Sequence, residues 1–128
     1  MKVEVSNGEF FDKFSILEIK SKKMTNKGKL HHVNKEKNVL KSTVGDLSYV
    51  FACSVYSELH NINNQLWDIE DRIREKGSFE EYDEEFIELS RKIYVMNDER
   101  FNLKNKINDI TSSEYKEQKS HSSCDFVN

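Results

Sequence analysis

Proline does not occur in the sequence, and only 4 of the 128 residues are glycine. These two residues form many of the turns of all-β and α/β folds, so their scarcity argues against both classes and favours long helices. Charged residues make up 34% of the chain and hydrophobic residues 36%. This balance is typical of helices that bury one apolar stripe and leave their other sides in water. We therefore predict an all-α fold.

Long hydrophobic runs are also missing. No stretch comes close to the ~20 apolar residues that a membrane-spanning helix needs, and the segment MKVEVSNGEF lacks the charged and then apolar pattern of a signal peptide. We therefore expect a cytoplasmic protein that does not bind membranes.

Metal-ligand patterns are scarce too. Cys53 and Cys124 have neither CxxC spacing nor a nearby histidine, and we expect both to be reduced thiols. The four histidines show no His-x-x-x-His or Glu-x-x-His spacing on one helix face. Asp68-x-x-Asp71 is a weak imitation of the paired carboxylates that hold magnesium in all-helical nucleotide pyrophosphatases, because Asp68 points away from the apolar side of its helix. We expect no metal and no cofactor.

Charge of each sign is concentrated in one part of the chain, although the net charge is only −3. Residues 20–41 hold eight lysines and one acid, whereas residues 58–88 hold eleven acids and three bases. The lysine-rich segment lacks the interleaved aromatic and arginine residues that stack on bases and bind phosphates in nucleic-acid-binding proteins. We interpret it as a solvated helix face and do not expect a nucleic-acid partner.

Apolar spacing predicts a single helical domain over residues 1–121, followed by a flexible tail at 122–128. Before the first helix, Val3 and Val5 alternate with polar neighbours, which predicts a short strand. Residues 115–119 are the segment with which this strand could pair.

Two capping boxes divide the domain into helices. Ser6 and Glu9 have the Ser-x-x-Glu spacing that starts a helix, and so do Ser78 and Glu81. The predicted helices cover residues of about 8–26, 30–42, 46–76 and 79–110. The third would be about 31 residues and roughly 46 Å long. Because the connection to the fourth is so short, we predict an antiparallel hairpin with the first helix packed along it.

The clearest helix pattern lies at residues 59–74, LHNINNQLWDIEDRIR, where apolar residues recur every three or four positions. Asn63, Glu70 and Arg74 fall inside the apolar arc of this helix rather than on its opposite side. On the following helix, Asn97 is one of the polar residues that repeat this pattern. Polar groups in an apolar arc form either a buried polar network or a ligand site.

Eight residues make up the candidate site: Glu18, Asn63, Trp67, Glu70, Arg74, Tyr94, Asn97 and Arg100. In the first interpretation the polar side chains pair with one another and fix the register of the helices or of a dimer. Glu70 and Arg74, four residues apart, would then be a buried ion pair, and Trp67 and Tyr94 would belong to the core.

In the second interpretation the same polar cluster is a cleft. Arg74 and Arg100 would bind a phosphate or carboxylate group through paired hydrogen bonds. Glu18 or Glu70 would transfer a proton if the cleft were catalytic.

Four blocks occur in an order that resembles a family of small proteins from bacteria and their viruses, catalogued only as a domain of unknown function. The blocks are GEFFDKFSILEIK (8–20), INNQLWDIEDRIR (62–74), FIELSRKIYVMNDERFNLKNKIN (86–108) and EQKSH (117–121). The positions that match the pattern of the family are Asp12-Lys13, Glu18, Asn63, Trp67, Glu70-Asp71, Arg74, Tyr94, Asn97-Asp98 and Arg100. Residues 28–55 and the last seven residues match no pattern of this family. The resemblance implies a shared fold and shared site residues, but no activity.

From these observations we predict a non-enzymatic interaction or regulatory module with a structural polar core. The alternative is a protein that binds a small anionic ligand, or a small all-α enzyme that uses the same cluster. We also expect a homodimer, because apolar residues surround the first helix and exceed what one hairpin can cover. A separate protein partner is compatible with the same surface.

Overall fold

Four α-helices and one 3₁₀ helix make up the part of the chain that the computed structural model describes, residues 1–117. They are α1 (Asn7–Lys23), α2 (Lys27–Thr43), the 3₁₀ helix (Gly45–Ala52), α3 (Ser54–Ser78) and α4 (Glu84–Glu117). The all-α prediction is confirmed. Within these residues no helix is both long enough and apolar enough to span a membrane. The tail predicted at 122–128 lies outside the described residues.

The strand predicted at the start of the chain is not formed. Val3 and Val5 are exposed and residues 1–6 have no regular structure. Residues 115–117 of the expected partner segment belong to α4, and residues 118–119 lie beyond the described part. Alternation over three residues is too short a signal to specify a strand without a paired neighbour.

Side-chain caps set the start of the first two helices. The Ser6 hydroxyl oxygen accepts a hydrogen bond from the Glu9 backbone N–H at 3.2 Å, and the Asn26 side chain accepts one from Lys29 at 2.9 Å. Each cap satisfies one of the backbone donors that a helix leaves free at its start. The apolar positions of α1 that are buried are Phe11, Phe14, Leu17 and Ile19.

These apolar positions pack against α2, α3 and α4 of the same chain. The expectation that α1 needs a second copy to cover it therefore does not hold. The homodimer itself remains a prediction.

The predicted helix over 46–76 is wrong at its beginning. The chain forms the 3₁₀ helix first, turns at Cys53, whose backbone is extended (φ −82°, ψ 146°), and starts α3 at Ser54. Gly45 has φ +54°, in the left-handed region that favours glycine. Cys53 is buried and disulfide-bonded, so the expectation of a reduced thiol is wrong at this position. Cys124 lies outside the described residues.

The core lies where α1, the 3₁₀ helix, the beginning of α3 and the later part of α4 meet. Phe11, Leu59 and Ile107, from three different helices, have no exposed surface. The Phe11 ring packs edge-on against Phe51 of the 3₁₀ helix, with the ring centroids 5.0 Å apart. The 3₁₀ helix thus supplies core residues that a continuous helix would have placed elsewhere.

α3 and α4 run antiparallel. Leu59 near the start of α3 shares the core with Ile107, whereas Arg72 near its end pairs with Glu85 at the start of α4, at 2.9 Å. α1 ends at Lys23, whose ammonium lies 2.8 Å from Asp68. The end of α3 therefore extends beyond α1.

The turn between α3 and α4 differs from the predicted one. Ser78 belongs to α3, and α4 begins only at Glu84, where the Asp83 carboxylate accepts a hydrogen bond from the Phe86 N–H at 3.0 Å. The other oxygen of Asp83 lies 2.8 Å from the ammonium of Lys76, whose side chain is only 4% exposed. The acid-rich turn encloses this lysine.

Acid is expected to open this turn. Hydrogen bonding to Lys76 is the main cause that lowers the pKa of Asp83. A separate hydrogen bond to Lys76 is the main cause that lowers the pKa of Glu85. A carboxyl group whose pKa is lowered by folding stabilises the folded state at pH values above its ordinary pKa of about 4. This stabilisation is lost as the pH falls through the lowered pKa. We expect amide exchange at residues 77–83, corrected for intrinsic rates, to become several-fold faster below about pH 4.

Asp83→Asn is the matched variant for this expectation. Asparagine caps a helix as well as aspartate does but cannot pair as a charge with Lys76. Its turn amides should exchange at neutral pH as fast as those of the wild type in acid, while amides near Leu59 keep their protection. Equal protection of the turn in both proteins at both pH values would contradict the role assigned to the ion pair.

Candidate functional site

The best-buried charge of the candidate region is the carboxylate of Asp12, on α1. Arg100 of α4 donates to both of its oxygens, from Nε to Oδ1 at 2.8 Å and from Nη2 to Oδ2 at 2.6 Å. The Asp12 side chain is 2% exposed and that of Arg100 is 29% exposed. These hydrogen bonds are the main cause that raises the pKa of Arg100. This two-pronged geometry is the strongest form of an arginine–carboxylate contact.

Asn63 of α3 completes the arrangement. Its amide nitrogen donates to Asp12 Oδ1 at 2.9 Å and to Ser15 Oγ at 2.7 Å. The Ser15 hydroxyl in turn donates to the backbone oxygen of Asp12 at 2.8 Å. We call Asp12, Ser15, Asn63 and Arg100 the Asp12 network. It joins three helices by paired polar groups, which is the geometry of the structural interpretation.

A cleft opens beside this network, with a volume of about 390 Å³. We call it the Arg74 cleft. It is lined by Ile16, Ile19, Lys20, Asn63, Leu66, Trp67, Glu70, Asp71, Arg74 and Arg100. Five of the eight candidate residues are thus brought together around one cavity. The predicted cluster divides into a closed network and an open cleft that share Asn63 and Arg100.

The walls and the rim of the cleft differ in character. Ile19 and Leu66 are buried at its base, and the half-buried Trp67 forms part of the wall. Glu70 and Arg74 are exposed at the rim, and neither makes an ion pair with any described residue. The predicted buried Glu70–Arg74 pair is therefore wrong. Their spacing places both on one face of α3, but that face borders solvent at this point.

Residues 1–125 match the family of unknown function DUF6165. The chain belongs to this family. The resemblance drawn from the sequence is confirmed and extends across residues 28–55, which the quoted blocks do not cover. Neither the curated proteins nor the solved structures contain a match to the chain. Membership in DUF6165 assigns no reaction.

Three candidate residues lie outside the cleft. Glu18 is half-buried and accepts a hydrogen bond from the Tyr56 hydroxyl. Burial is the main cause that raises the pKa of Tyr56, and this bond to Glu18 adds to it. Asn97 is exposed and only approaches Arg100, at 3.5 Å. Tyr94 is 61% exposed, so the expectation that it belongs to the core is wrong.

The eight candidate residues did not include the centre of the network, although Asp12 is among the positions that match the family pattern. Asp12 and Ser15 lie in the run FFDKFSIL, on a helix whose apolar residues cover most of its circumference. A polar residue inside an apolar arc is the signal that singled out Asn63 on α3, and it applies equally to Asp12. Lys20, a second cation of the cleft, was missed because it lies in a lysine-rich segment that reads as a solvated face.

Among the side chains that the structure describes, residues 1–111, no three histidine, cysteine or acidic side chains lie close enough together to hold a metal ion. Asp68, one of the carboxylates considered for magnesium, pairs with Lys23 instead.

Proposed function

We propose that this protein binds a small polar molecule in the Arg74 cleft and does not transform it. The observation that supports this proposal best is the exposed guanidinium of Arg74 at the rim of a cavity with an aromatic wall. A concave, largely apolar site with a few convergent polar groups is the usual form of a small-molecule site. From the interaction-module interpretation we retain only the proposal that the protein is not an enzyme.

The charges of the rim define the class of ligand. Lys20 and Arg74 can bind a phosphate or carboxylate, whereas Arg100 is already paired with Asp12. Glu70 and Asp71 only accept hydrogen bonds, so they favour hydroxyl or ammonium groups. We therefore propose a ligand with an anionic group at one end and hydrogen-bond donors at the other, such as a sugar phosphate or an amino acid.

The choice of binding over catalysis rests on the side chains of the lining. Among the described residues that line the cleft there is no cysteine, serine or histidine, the side chains that most often serve as nucleophile or general base. Of the two acids considered for proton transfer, Glu18 is held by Tyr56 outside the cleft, and Glu70 lines the cleft but is exposed to solvent. The Asp12 network gives the cleft a rigid side, since its polar groups are paired.

Fluorescence titration tests the proposal, because Trp67 is the single tryptophan of the chain and lines the cleft. Inorganic phosphate, a sugar phosphate and an amino acid are the probes. We expect a saturable change in emission with at least one of the two organic probes. At a hundred times its dissociation constant this ligand should stabilise the fold by about 2.7 kcal/mol in a thermal melt.

Arg74→Met is expected to reduce the affinity for this ligand by about tenfold or more. The melting temperature without ligand should stay unchanged, because Arg74 is exposed. Arg72→Met is the matched control. Arg72 lies on the same helix outside the cleft, in exposed pairs with Glu75 and Glu85. If no probe binds, or if Arg74→Met binds as the wild type does, the assignment of the cleft is wrong.

A further inference from the structure

One side of α4 carries large apolar side chains that nothing in the described chain covers. Ile87, Tyr94 and Phe101 are 54%, 61% and 61% exposed. They are seven residues apart, which is two helical turns, so they line up along the helix. We call these three residues the α4 stripe. Their neighbours Ile93 and Leu103 are better buried, so the stripe lies on a different side of α4 from its contacts with the core.

We infer that the α4 stripe binds the α4 stripe of a second copy of this chain, with the two helices antiparallel. Seven-residue apolar spacing is the pattern of a helix that packs along another helix. Tyr94 lies seven residues from both other members, so a two-fold axis beside it would place Ile87 against the partner's Phe101 and Phe101 against the partner's Ile87. Such a contact closes at two copies.

The charges next to the stripe favour this orientation. Arg91 and Asp98 are exposed and flank the stripe on the same side, three residues before Tyr94 and four residues after it. In an antiparallel pair Arg91 faces the partner's Asp98 at both ends of the contact. In a parallel pair these two positions lie on opposite flanks of the contact and do not meet, so the attraction is lost. Charge complementarity therefore selects a second copy in one orientation.

The size of the stripe sets the strength to expect. Two aromatic rings and one isoleucine at these exposures present on the order of 350 Å² of apolar surface per copy, within the range of the largest patches on monomers. Twice this area is about 700 Å², below the roughly 1,000 Å² of a stable interface, so we expect a weak dimer with a dissociation constant on the order of hundreds of micromolar or more. This dimer is independent of the Arg74 cleft, since no stripe residue lines it.

Sedimentation velocity of the full chain from micromolar to millimolar concentration tests the inference. We expect a reversible change from the 15.1 kDa chain to a species of about twice that mass. Tyr94→Glu should raise the dissociation constant by about tenfold or more and leave the circular dichroism unchanged, since Tyr94 is exposed. Val39→Glu is the control, because Val39 is equally exposed, at 55%, but lies on α2.

Charge reversal tests the orientation. Arg91→Asp alone and Asp98→Arg alone should each weaken the dimer, and the double variant should restore it, because opposite charges face each other again in the antiparallel arrangement. A parallel dimer would not be restored. A monomer at every concentration, a larger assembly, or a dimer unaffected by Tyr94→Glu would overturn the inference and leave the stripe to a different partner protein.

Discussion

Arg100→Met is expected to destabilise the protein by roughly 3–5 kcal/mol, the usual cost of removing one partner of a buried ion pair. Asp12 would remain buried, at 1% exposure, with a carboxylate that has lost both guanidinium hydrogen bonds. The amide of Asn63 would be the remaining side-chain donor to this carboxylate. Methionine replaces the aliphatic part of the arginine side chain, so lost packing contributes little to this change.

The double variant Asp12→Ala, Arg100→Met should recover much of this loss. Without the carboxylate no buried charge is left unpaired, and the Asn63 amide keeps its hydrogen bond to Ser15. Urea unfolding followed by circular dichroism measures all the variants. Arg72→Met, an exposed arginine with two ion pairs on the surface, should change stability by less than about 1 kcal/mol. A small effect of Arg100→Met, or a double variant as unstable as the single one, would show that the network is not structural.

The helical pattern predicted that Asn63 and Arg100 are enclosed, and the structure places both in a polar network. It could not identify Asp12 as their partner. Periodicity shows which side of a helix a residue lies on, but the partner depends on how the helices cross. Here α1 crosses both α3 and α4 at Asp12, and no local feature of α3 or α4 contains that information.

The same limit explains the errors at Glu70 and Arg74. Both lie on the predicted face of α3, but whether that face is buried depends on the length of α1, which ends at Lys23. Whether the end of α3 is buried thus depends on where α1 ends. The result is a cleft at the place where the sequence predicted a closed pair.

Two boundaries were mispredicted for local reasons. At the 3₁₀ helix, eight residues are too few to separate a three-residue period from a 3.6-residue period, and no proline marks the turn at Cys53. At the α3–α4 turn, Ser78 and Asp83 are both good capping residues. Asp83 caps the helix in the structure because its second oxygen also pairs with Lys76, a contact seven residues away that a capping rule does not include.

Gly8→Ala is expected to destabilise the protein by roughly 3 kcal/mol, at the upper end for overpacking. A Cβ at Gly8 would lie 2.2 Å from the backbone oxygen of Lys104 and 2.8 Å from its carbonyl carbon. These atoms belong to the backbone of α4 and cannot rotate away as a side chain could. The Gly8 N–H also donates to Asn108 at 2.7 Å, so the two helices are held at this distance.

The extra methyl group can be accommodated only if α1 and α4 move apart. That movement would break the Gly8–Asn108 bond and the 2.9 Å bond between Asn7 and Thr111. Asp12, one turn further along α1, would move with it and lengthen its contacts with Arg100. A glycine-to-alanine substitution in an unobstructed helix stabilises a protein by about 0.4–1 kcal/mol. The effect expected at Gly8 therefore has the opposite sign.

Gly77→Ala provides the comparison, because a Cβ at Gly77 in α3 would meet no atom within 4 Å. In urea unfolding, Gly77→Ala should be as stable as the wild type or slightly more stable, whereas Gly8→Ala should be much less stable. Gly8→Ala should also increase amide exchange near Asn63, because a displaced α1 loosens the Asp12 network. If both variants are equally stable, α1 and α4 are not in backbone contact at Gly8. The inference that this contact positions Asp12 opposite Arg100 would then be wrong.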